Sequence, residues 1–242
     1  MKNNHFIILV TVHNSIKWIG KCLDSVINQD YKNYKLVVID DHSTDGTWDV
    51  ICKYDAHSIR NETRLAHSLP NMETGIKLFS LDKEDVIITL DGDDWLSDNH
   101  VLSHLNAVYQ KNIWLTYGQY VPLSRTYFNY CRPIYNAQEY RKSGVWVTSH
   151  LRTFKRKLWD LIDKKDFRIE NGEYLPTCGD LAFMYPMIEM AGLSRIEFID
   201  RVLYVYNDMN PQNDMKKFPE VSIATAKYLQ NKPVYKEIVG EI

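Results

Sequence analysis

Two unbroken apolar runs near the start of the chain predict buried β-strands. Residues 6–12 read FIILVTV and residues 34–41 read YKLVVIDD, and both are rich in β-branched side chains. Such runs are typical of strands that are buried on both faces of a sheet. A helix between the two strands is predicted by apolar residues spaced three and four apart, which are Ile16, Ile19, Leu23, Val26 and Ile27.

The alternation of strand and helix continues to about residue 118. Residues 43–54 begin with capping and turn residues and then have a helical pattern, and residues 71–82 also have a helical pattern. The next apolar run, VIITL, covers residues 86–90. Strands that alternate with helices predict a mainly parallel sheet with right-handed crossovers, and therefore an α/β fold.

The pattern changes after residue 118. Residues 119–145 are rich in Tyr, Arg and Asn and have no clear periodicity. Further along, the pattern predicts a strand, an amphipathic helix, a buried helix interrupted by Pro186, and a last strand, at residues 145–154, 156–164, 179–192 and 195–207.

Composition and charge narrow the choice of protein class. The chain has 242 residues and a formal net charge of −2, which suits one large α/β domain and argues against a general nucleic-acid binder. Its four cysteines form no CxxC pair, which argues against a zinc site or a disulfide framework. The N-terminal apolar run is too short for a signal peptide or a membrane span. We therefore expect a cytoplasmic protein without a transmembrane segment, and a location at a membrane surface stays open.

Polar residues follow three of the predicted strands, at the point where each strand ends. Ligands bind beyond the carboxyl ends of the strands in parallel sheets. These residues are therefore expected to meet at one edge, and they are Thr11, His13 and Asn14, then Asp40 and Asp41, then Asp91 and Asp93.

The segment VIITLDGDDWLSD at residues 86–98 crowds four acids after one of these strands. Mutual repulsion makes such a cluster costly unless a cation or solvent neutralises it, so a metal site is the first hypothesis. The alternative is that the acids cap the next helix, as Asp98 is expected to do. The sequence has no GxGxxG or P-loop pattern, and its two calcium-loop-like stretches lack the glutamate at the twelfth position.

Two segments together resemble the family 2 glycosyltransferases of the GT-A fold. They are VTVHNSIKWIGKCLDSVINQDYKNYKLVVIDDHSTDGT at residues 10–47 and ITLDGDD at residues 88–94, which carries a DxD motif. The resemblance implies a GT-A-like Rossmann-type sandwich with a smaller acceptor-binding part. It divides the single domain into a nucleotide-sugar-binding half, residues 1–118, and an acceptor-binding half, residues 119–242.

The resemblance also implies a nucleotide-sugar donor and makes UDP-sugars the leading candidates. Asp93, helped by Asp91, stands where relatives bind Mn²⁺ or Mg²⁺, and a cation there stabilises the charge that develops on a diphosphate leaving group. The residues at positions that contact the nucleotide or the donor are Thr11, His13, Asn14, Asp41, Arg64, Asp91 and Gly92.

The second half offers a candidate general base. Asp180 begins the apolar helix at residues 179–192, where the family places the carboxylate that takes the proton from the acceptor hydroxyl, and a plain helix N-cap is the alternative. His150 and Arg152 lie on one face of a predicted strand and would contact the acceptor or the diphosphate, or else form a solvated edge. Some relatives have a histidine metal ligand after the last strand, which this sequence lacks, and the candidate replacements are Asn207 or a water molecule.

We therefore predict an inverting, metal-dependent glycosyltransferase that uses a nucleoside diphosphate sugar and a hydroxyl acceptor. The acceptor would be a glycan, a lipid-linked molecule or a protein. One rival is a nucleotide-sugar binding module that has lost catalysis. The other is a metal-dependent nucleotidyltransferase, which would release pyrophosphate.

Overall fold

The computed structural model describes residues 3–126, 130–211 and 214–240. The strands within this part of the chain are β1 Phe6–Val12, β2 Tyr34–Asp40, β3 His57–Arg60, β4 Val86–Asp91, β5 Trp95–Leu96, β6 Leu115–Pro122, β7 Thr153–Lys155 and β8 Ile196–Tyr206. The helices are α1 Ile19–Ile27, α2 Thr47–Ile51, α3 Ser68–Phe79, α4 Val101–Val108, α5 Ala137–Tyr140, α6 Arg156–Asp160, α7 Gly179–Ala191, α8 Asp214–Lys217 and α9 Pro219–Gln230.

The described strands form one sheet in the order β3-β2-β1-β4-β7-β6-β8-β5. Strands β3, β2, β1 and β4 are parallel, β7 is antiparallel to both of its neighbours, and β6 pairs with β8 in parallel. The predicted α/β fold with a mainly parallel sheet is therefore confirmed. The boundary predicted at residue 118 falls inside β6, so the sheet itself runs through both halves of the chain.

The parallel strands bring the predicted polar residues to one edge. Strand β1 lies between β2 and β4, and its residues 6–10 are at most 1% exposed, as the unbroken apolar run requires. In register, Thr11 lies beside Asp91 and Val12 lies beside Asp40. The carboxyl ends of β1, β2 and β4 thus lie side by side at one edge of the sheet.

One strand prediction is wrong in its extent. Residues 145–152 are irregular, and only Thr153–Lys155 pair as a strand, between β4 and β6. The alternation of residue types in this segment is therefore not accompanied by strand pairing. His150 and Arg152 are nevertheless buried, at 8% and 6% exposed, and Phe154 packs in the core. The alternative of a solvated strand edge for His150 and Arg152 is therefore excluded.

Other boundaries shift for local reasons. Helix α3 begins three residues before the predicted start, since Pro70 is tolerated in a first helical turn. Helix α6 ends at Asp160, and a 3₁₀ turn over residues 164–167 follows. Helix α7 continues past Pro186, buried at every residue from Leu181 to Ala191. The longest helix in the described ranges has 13 residues, and none has the length and apolar character to span a bilayer.

Candidate functional site

A cleft of about 830 Å³ opens at the carboxyl ends of β1 and β4. Its walls come from both halves of the chain. The polar residues lining it within the described ranges are Thr11, His13, Ser15, Ser68, Thr89, Asp91, Asp93, Asp94, Tyr120, Tyr130, Ser149, His150, Arg152, Thr177, Asp180, Tyr206, Asn210 and Ser222.

Three aspartates form the floor of the cleft, and we call Asp91, Asp93 and Asp94 the acidic floor. Asp94 is 1% exposed and is held by two short hydrogen bonds, in which the Tyr204 hydroxyl donates to Oδ2 and the Asn207 backbone N–H donates to Oδ1, both at 2.6 Å. The Asn210 side-chain amide donates to Asp93 Oδ2 at 2.6 Å. The two carboxylates are therefore fixed by the end of β8 and the segment that follows it.

Burial and mutual repulsion act on the acidic floor. Burial, and then the charges of Asp93 and Asp91, raise the pKa of Asp94 well above its ordinary value. Burial also raises the pKa of Asp93, against a lowering by the hydrogen bond from Asn210. Crowded carboxylates of this kind are held ionised only by a compensating positive charge. The electrostatics of the site thus match a divalent cation, the charge expected from the sequence.

At Gly92, between the residues of the acidic floor, the backbone lies close to β1. Its N–H donates to the Thr11 carbonyl oxygen at 3.0 Å, and an added β-carbon would lie 2.5 Å from Cβ and Cγ2 of Val12. Both contacts are closer than atoms can approach without displacement of the backbone. Glycine is therefore required at this position by space.

Replacing Gly92 by alanine is expected to lower the free energy of unfolding by about 1–3 kcal/mol, as overpacking a rigid core does. The matched control is Gly20→Ala in helix α1, where the added β-carbon would meet its nearest atom, the Tyr54 hydroxyl, at an ordinary 3.5 Å. That variant should be neutral or more stable by up to about 1 kcal/mol. Denaturant unfolding of both variants measures the difference, and equal stabilities would contradict the close approach.

His150 lies against the acidic floor. Its ring stacks on Tyr204, with centroids 4.4 Å apart and planes at 12°, and on Tyr206 at 5.5 Å and 19°. One ring nitrogen of His150 and one oxygen each of Asp91 and Asp94 all lie within 4.8 Å of one another. Burial, and then the charge of Arg152, hold the pKa of the imidazole well below its ordinary value, so the ring is neutral.

Asp180 faces the same cleft from the first turn of α7. Arg152 Nη1 lies 3.1 Å from Asp180 Oδ2, and the Asp180 side chain is 29% exposed. Cys178, not Asp180, occupies the N-cap position of the helix. A β-carbon on Gly179 would lie 2.8 Å from Ser68 Oγ, so the start of α3 packs closely against this glycine.

The predicted nucleotide-binding residues divide into two groups. Thr11, His13, Asp91 and Gly92 line the cleft, and His13 Nδ1 lies 2.8 Å from the Asp41 carbonyl oxygen. Three other predicted nucleotide-binding residues, Asn14, Asp41 and Arg64, are absent from the described residues that line the cleft, and so is Asn207, the candidate metal ligand.

Each of these four has a different environment. The Asp41 carboxylate accepts hydrogen bonds from the Asn61 amide and from the backbone N–H groups of Leu65 and Ala66, at 2.8–2.9 Å, so it organises the loop after β3. Arg64 is exposed on that loop, and the Asn14 amide oxygen accepts from the Thr44 backbone N–H. The Asn207 side chain is buried, and neither of its polar atoms has a hydrogen-bond partner among the described residues.

Sequence reasoning gave no role to Tyr204, Tyr206 and Asn210, and it named Asp94 only as part of the acidic cluster. The two tyrosines alternate along β8, which is a weak signal that they share one face. Asn210 has no periodic signal at all. These contacts link segments 110 or more residues apart, so only the fold brings them together.

Comparison with known proteins finds a matching family model and several similar proteins. The model of the family "Glycosyl transferase family 2" matches residues 7–167, more than half of the chain. The chain is also similar to the glycosyltransferase GlyA of Streptococcus pneumoniae serotype 4, with 28% identity over 159 residues, which cover 61% of this chain. The match spans only 22% of the length of GlyA.

Solved structures share the fold. S. aureus TarS 1-349 in complex with UDP-GlcNAc superimposes with a TM-score of 0.68 and 18% identity, covering 93% of this chain and 65% of that one. Glucosyl-3-phosphoglycerate synthase from Mycobacterium tuberculosis, in complex with Mn²⁺, uridine diphosphate and glucosyl-3-phosphoglycerate, gives a TM-score of 0.60 and 15% identity, covering 95% of this chain and 81% of that one. The shared architecture is the GT-A fold expected from the sequence.

Proposed function

Because the chain belongs to glycosyl transferase family 2, we propose that it transfers a sugar, with inversion, from a UDP-sugar to a hydroxyl acceptor. The observation that carries this proposal is one cleft with two kinds of carboxylate on its walls. The acidic floor, at the end of β4 and in the turn after it, suits a metal-bound diphosphate, and Asp180 on helix α7 suits a proton acceptor.

The donor side of the cleft is the nucleotide-binding half predicted from the sequence. Thr11 and His13 line it beyond the end of β1, where nucleotides bind in parallel sheets. Asp41 supports this side indirectly, since its carboxylate holds the backbone of the loop at residues 61–66. The complex of TarS with UDP-GlcNAc supports UDP as the nucleotide, as a property of that protein.

The residues present fit a divalent cation. The acidic floor offers carboxylate oxygens, the ligands that Mg²⁺ and Mn²⁺ prefer. Burial raises the pKa values of Asp93 and Asp94, and a bound cation would favour their ionised forms. A cation bound there supplies a positive charge that stabilises the diphosphate leaving group. The Mn²⁺ named in the complex of glucosyl-3-phosphoglycerate synthase agrees with this choice.

Asp180 performs the proton transfer in this proposal. The acceptor oxygen attacks the anomeric carbon from the face opposite the diphosphate, Asp180 takes the hydroxyl proton, and the sugar–phosphate bond breaks to release UDP. Arg152 orients the base, since its Nη1 lies 3.1 Å from Asp180 Oδ2. The Nε of Arg152 is buried and has no hydrogen-bond partner among the described residues.

The first experiment is calorimetric titration of the protein with UDP, in the presence of Mn²⁺ and again with the metal chelated. We expect UDP to bind at least about tenfold more tightly with Mn²⁺, a difference of about 1.4 kcal/mol, since the cation joins two negatively charged partners. Asp91→Asn should remove most of this difference. The matched control is Asp98→Asn, because Asp98 pairs with Arg201 at the surface, outside the residues that line the cleft. Equal binding with and without Mn²⁺ would contradict the metal site.

Product analysis separates the rival functions. Release of UDP from a UDP-sugar on addition of acceptor identifies glycosyl transfer. Release of pyrophosphate from UTP and a sugar phosphate would identify a nucleotidyltransferase. UDP binding with neither product would identify a binding module without catalysis.

A further inference from the structure

The histidine beside the acidic floor has chemistry that the proposed function does not use. His150 is 8% exposed, and its Nδ1 is buried without a hydrogen-bond partner among the described residues. A buried polar atom is rarely left unpaired in a protein, so the site calls for a partner that the protein does not itself supply. We propose that His150 is a direct ligand of the divalent cation, together with Asp91 and Asp94. This inference rests on the proposed function, because it assigns the protein ligands of the same cation.

The three donor atoms are close enough to share one cation. They lie within 4.8 Å of one another, and two ligands on opposite sides of a cation with bonds of 2.0–2.1 Å stand about 4.2 Å apart. Three atoms 4.8 Å apart lie about 2.8 Å from a common centre, so movements of less than about 1 Å bring all three to bonding distance. The ligands come from the end of β4, from the turn after it and from the irregular segment before β7, so the cation would connect both halves of the chain.

Tyr204 holds two of the proposed ligands at once. Its ring stacks on the His150 imidazole at 4.4 Å, and its hydroxyl donates to Asp94 Oδ2 at 2.6 Å. Tyr120 completes the support by an edge-on contact with His150 at 5.6 Å and 88°. Residues that orient metal ligands in this way fix both the direction of the donor atoms and the affinity of the site.

The proposed ligand set does not include Asp93, which the family resemblance gave as a metal-binding residue. Asp93 is not part of the group whose donor atoms lie within 4.8 Å, and its Oδ2 accepts from the Asn210 amide. A mixed set of two carboxylates and one imidazole suits Mn²⁺ better than Mg²⁺, because Mg²⁺ strongly favours oxygen. The site is therefore expected to prefer Mn²⁺.

The test is pulsed electron paramagnetic resonance of the protein loaded with Mn²⁺ and UDP, which detects nitrogen bonded directly to the metal. We expect the spin-echo signal of Mn²⁺ in the native complex to be modulated by a bonded ¹⁴N nucleus, which we call nitrogen modulation. The pattern of this modulation should change when histidine is labelled with ¹⁵N. His150→Phe should abolish the modulation and weaken Mn²⁺ binding by about 10- to 100-fold. His57→Phe is the matched control, because His57 lies on the edge strand β3, outside the residues that line the cleft, and modulation should persist in it.

Two results would overturn the assignment in different ways. Mn²⁺ bound by the native protein without nitrogen modulation would exclude His150 as a ligand and leave the proposed function standing. Failure of the native protein to bind Mn²⁺ in the presence of UDP would overturn the metal in the proposed function as well. Should His150→Phe fail to fold, His150→Gln is the second variant, and persistence of the nitrogen modulation in it would exclude His150 as the ligand.

Discussion

Replacing Asp180 by asparagine is expected to reduce turnover by about 10²- to 10⁴-fold, the usual contribution of a positioned general base. An amide cannot accept the proton of the acceptor hydroxyl at neutral pH, whereas its shape matches that of the carboxyl group. UDP binding should be retained, because the nucleotide-binding residues lie on other elements of the cleft, at the ends of β1 and β4.

Asp180→Asn removes the negative charge and keeps the shape of the side chain and one of its two hydrogen bonds. The amide oxygen of asparagine can still accept a hydrogen bond from Arg152 Nη1, which lies 3.1 Å from Asp180 Oδ2 in the native protein. The other oxygen of Asp180 accepts from the Leu181 backbone N–H at 3.0 Å, and asparagine can be oriented to keep only one of the two bonds. Folding is therefore expected to be little affected, and a loss of turnover will report on the proton transfer.

The matched control is Asp160→Asn, which changes an exposed carboxylate at the end of helix α6 by the same chemical step. Steady-state release of UDP, with calorimetric binding of UDP measured on each variant, separates catalysis from donor binding. Native turnover in Asp180→Asn would exclude Asp180 as the base. Loss of UDP binding together with turnover would instead assign Asp180 a role in holding the donor.

The elements that could be predicted from the sequence are those whose burial leaves a local pattern. Strands β1, β2 and β4 are buried over most of their length, and each contains a run of apolar residues in the sequence. Strand β3 is the opposite case: it lies at the edge of the sheet, reads HSIR, and has no residue that is fully buried. Its partner β2 fixes it in place, so its own sequence carries little signal.

The same reasoning explains the error at residues 145–152. Alternation of apolar and polar residues normally predicts a half-buried strand. Here both sets are buried, since Val147 lies in the core and His150 lies against the aromatic rings of β8. The segment has no ladder partner over this length among the described strands, and nothing local in the sequence distinguishes buried irregular backbone from a strand.

The candidate site could be predicted only as far as its residues follow strand ends. Thr11 and Asp91 are register partners, so the order of strands alone brings them together. The bonds from Tyr204 and Asn210 to the acidic floor join residues 110 and 117 positions apart, and depend on how β8 folds back across the sheet. Thr11 and Asp91 could therefore be predicted from the sequence and the family resemblance. The contacts of Tyr204 and Asn210 are seen only in the three-dimensional structure.

Helix α7, which carries Asp180, is held by a buried ion pair whose loss should have a large effect on stability. Arg141 and Glu189 are each 1% exposed, and the guanidinium donates to both carboxylate oxygens at 2.6 and 2.7 Å. Burial raises the pKa of Glu189, against the lowering by Arg141, and the Tyr235 backbone N–H also donates to this carboxylate at 2.9 Å. The pair therefore joins α7 to the 3₁₀ turn after α5 and to the C-terminal segment.

Arg141→Met is expected to lower the free energy of unfolding by about 3–5 kcal/mol, because it leaves the Glu189 carboxylate buried without its cation. The double variant Arg141→Met/Glu189→Leu should recover most of this loss, since apolar residues of similar volume remove the uncompensated charge. The surface pair Lys111–Glu197 provides the control, and Lys111→Met should cost no more than about 1 kcal/mol. Denaturant unfolding followed by tryptophan fluorescence measures all three. A double variant as unstable as Arg141→Met would mean that the side-chain packing, and not the buried charge, supports α7 and with it the position of Asp180.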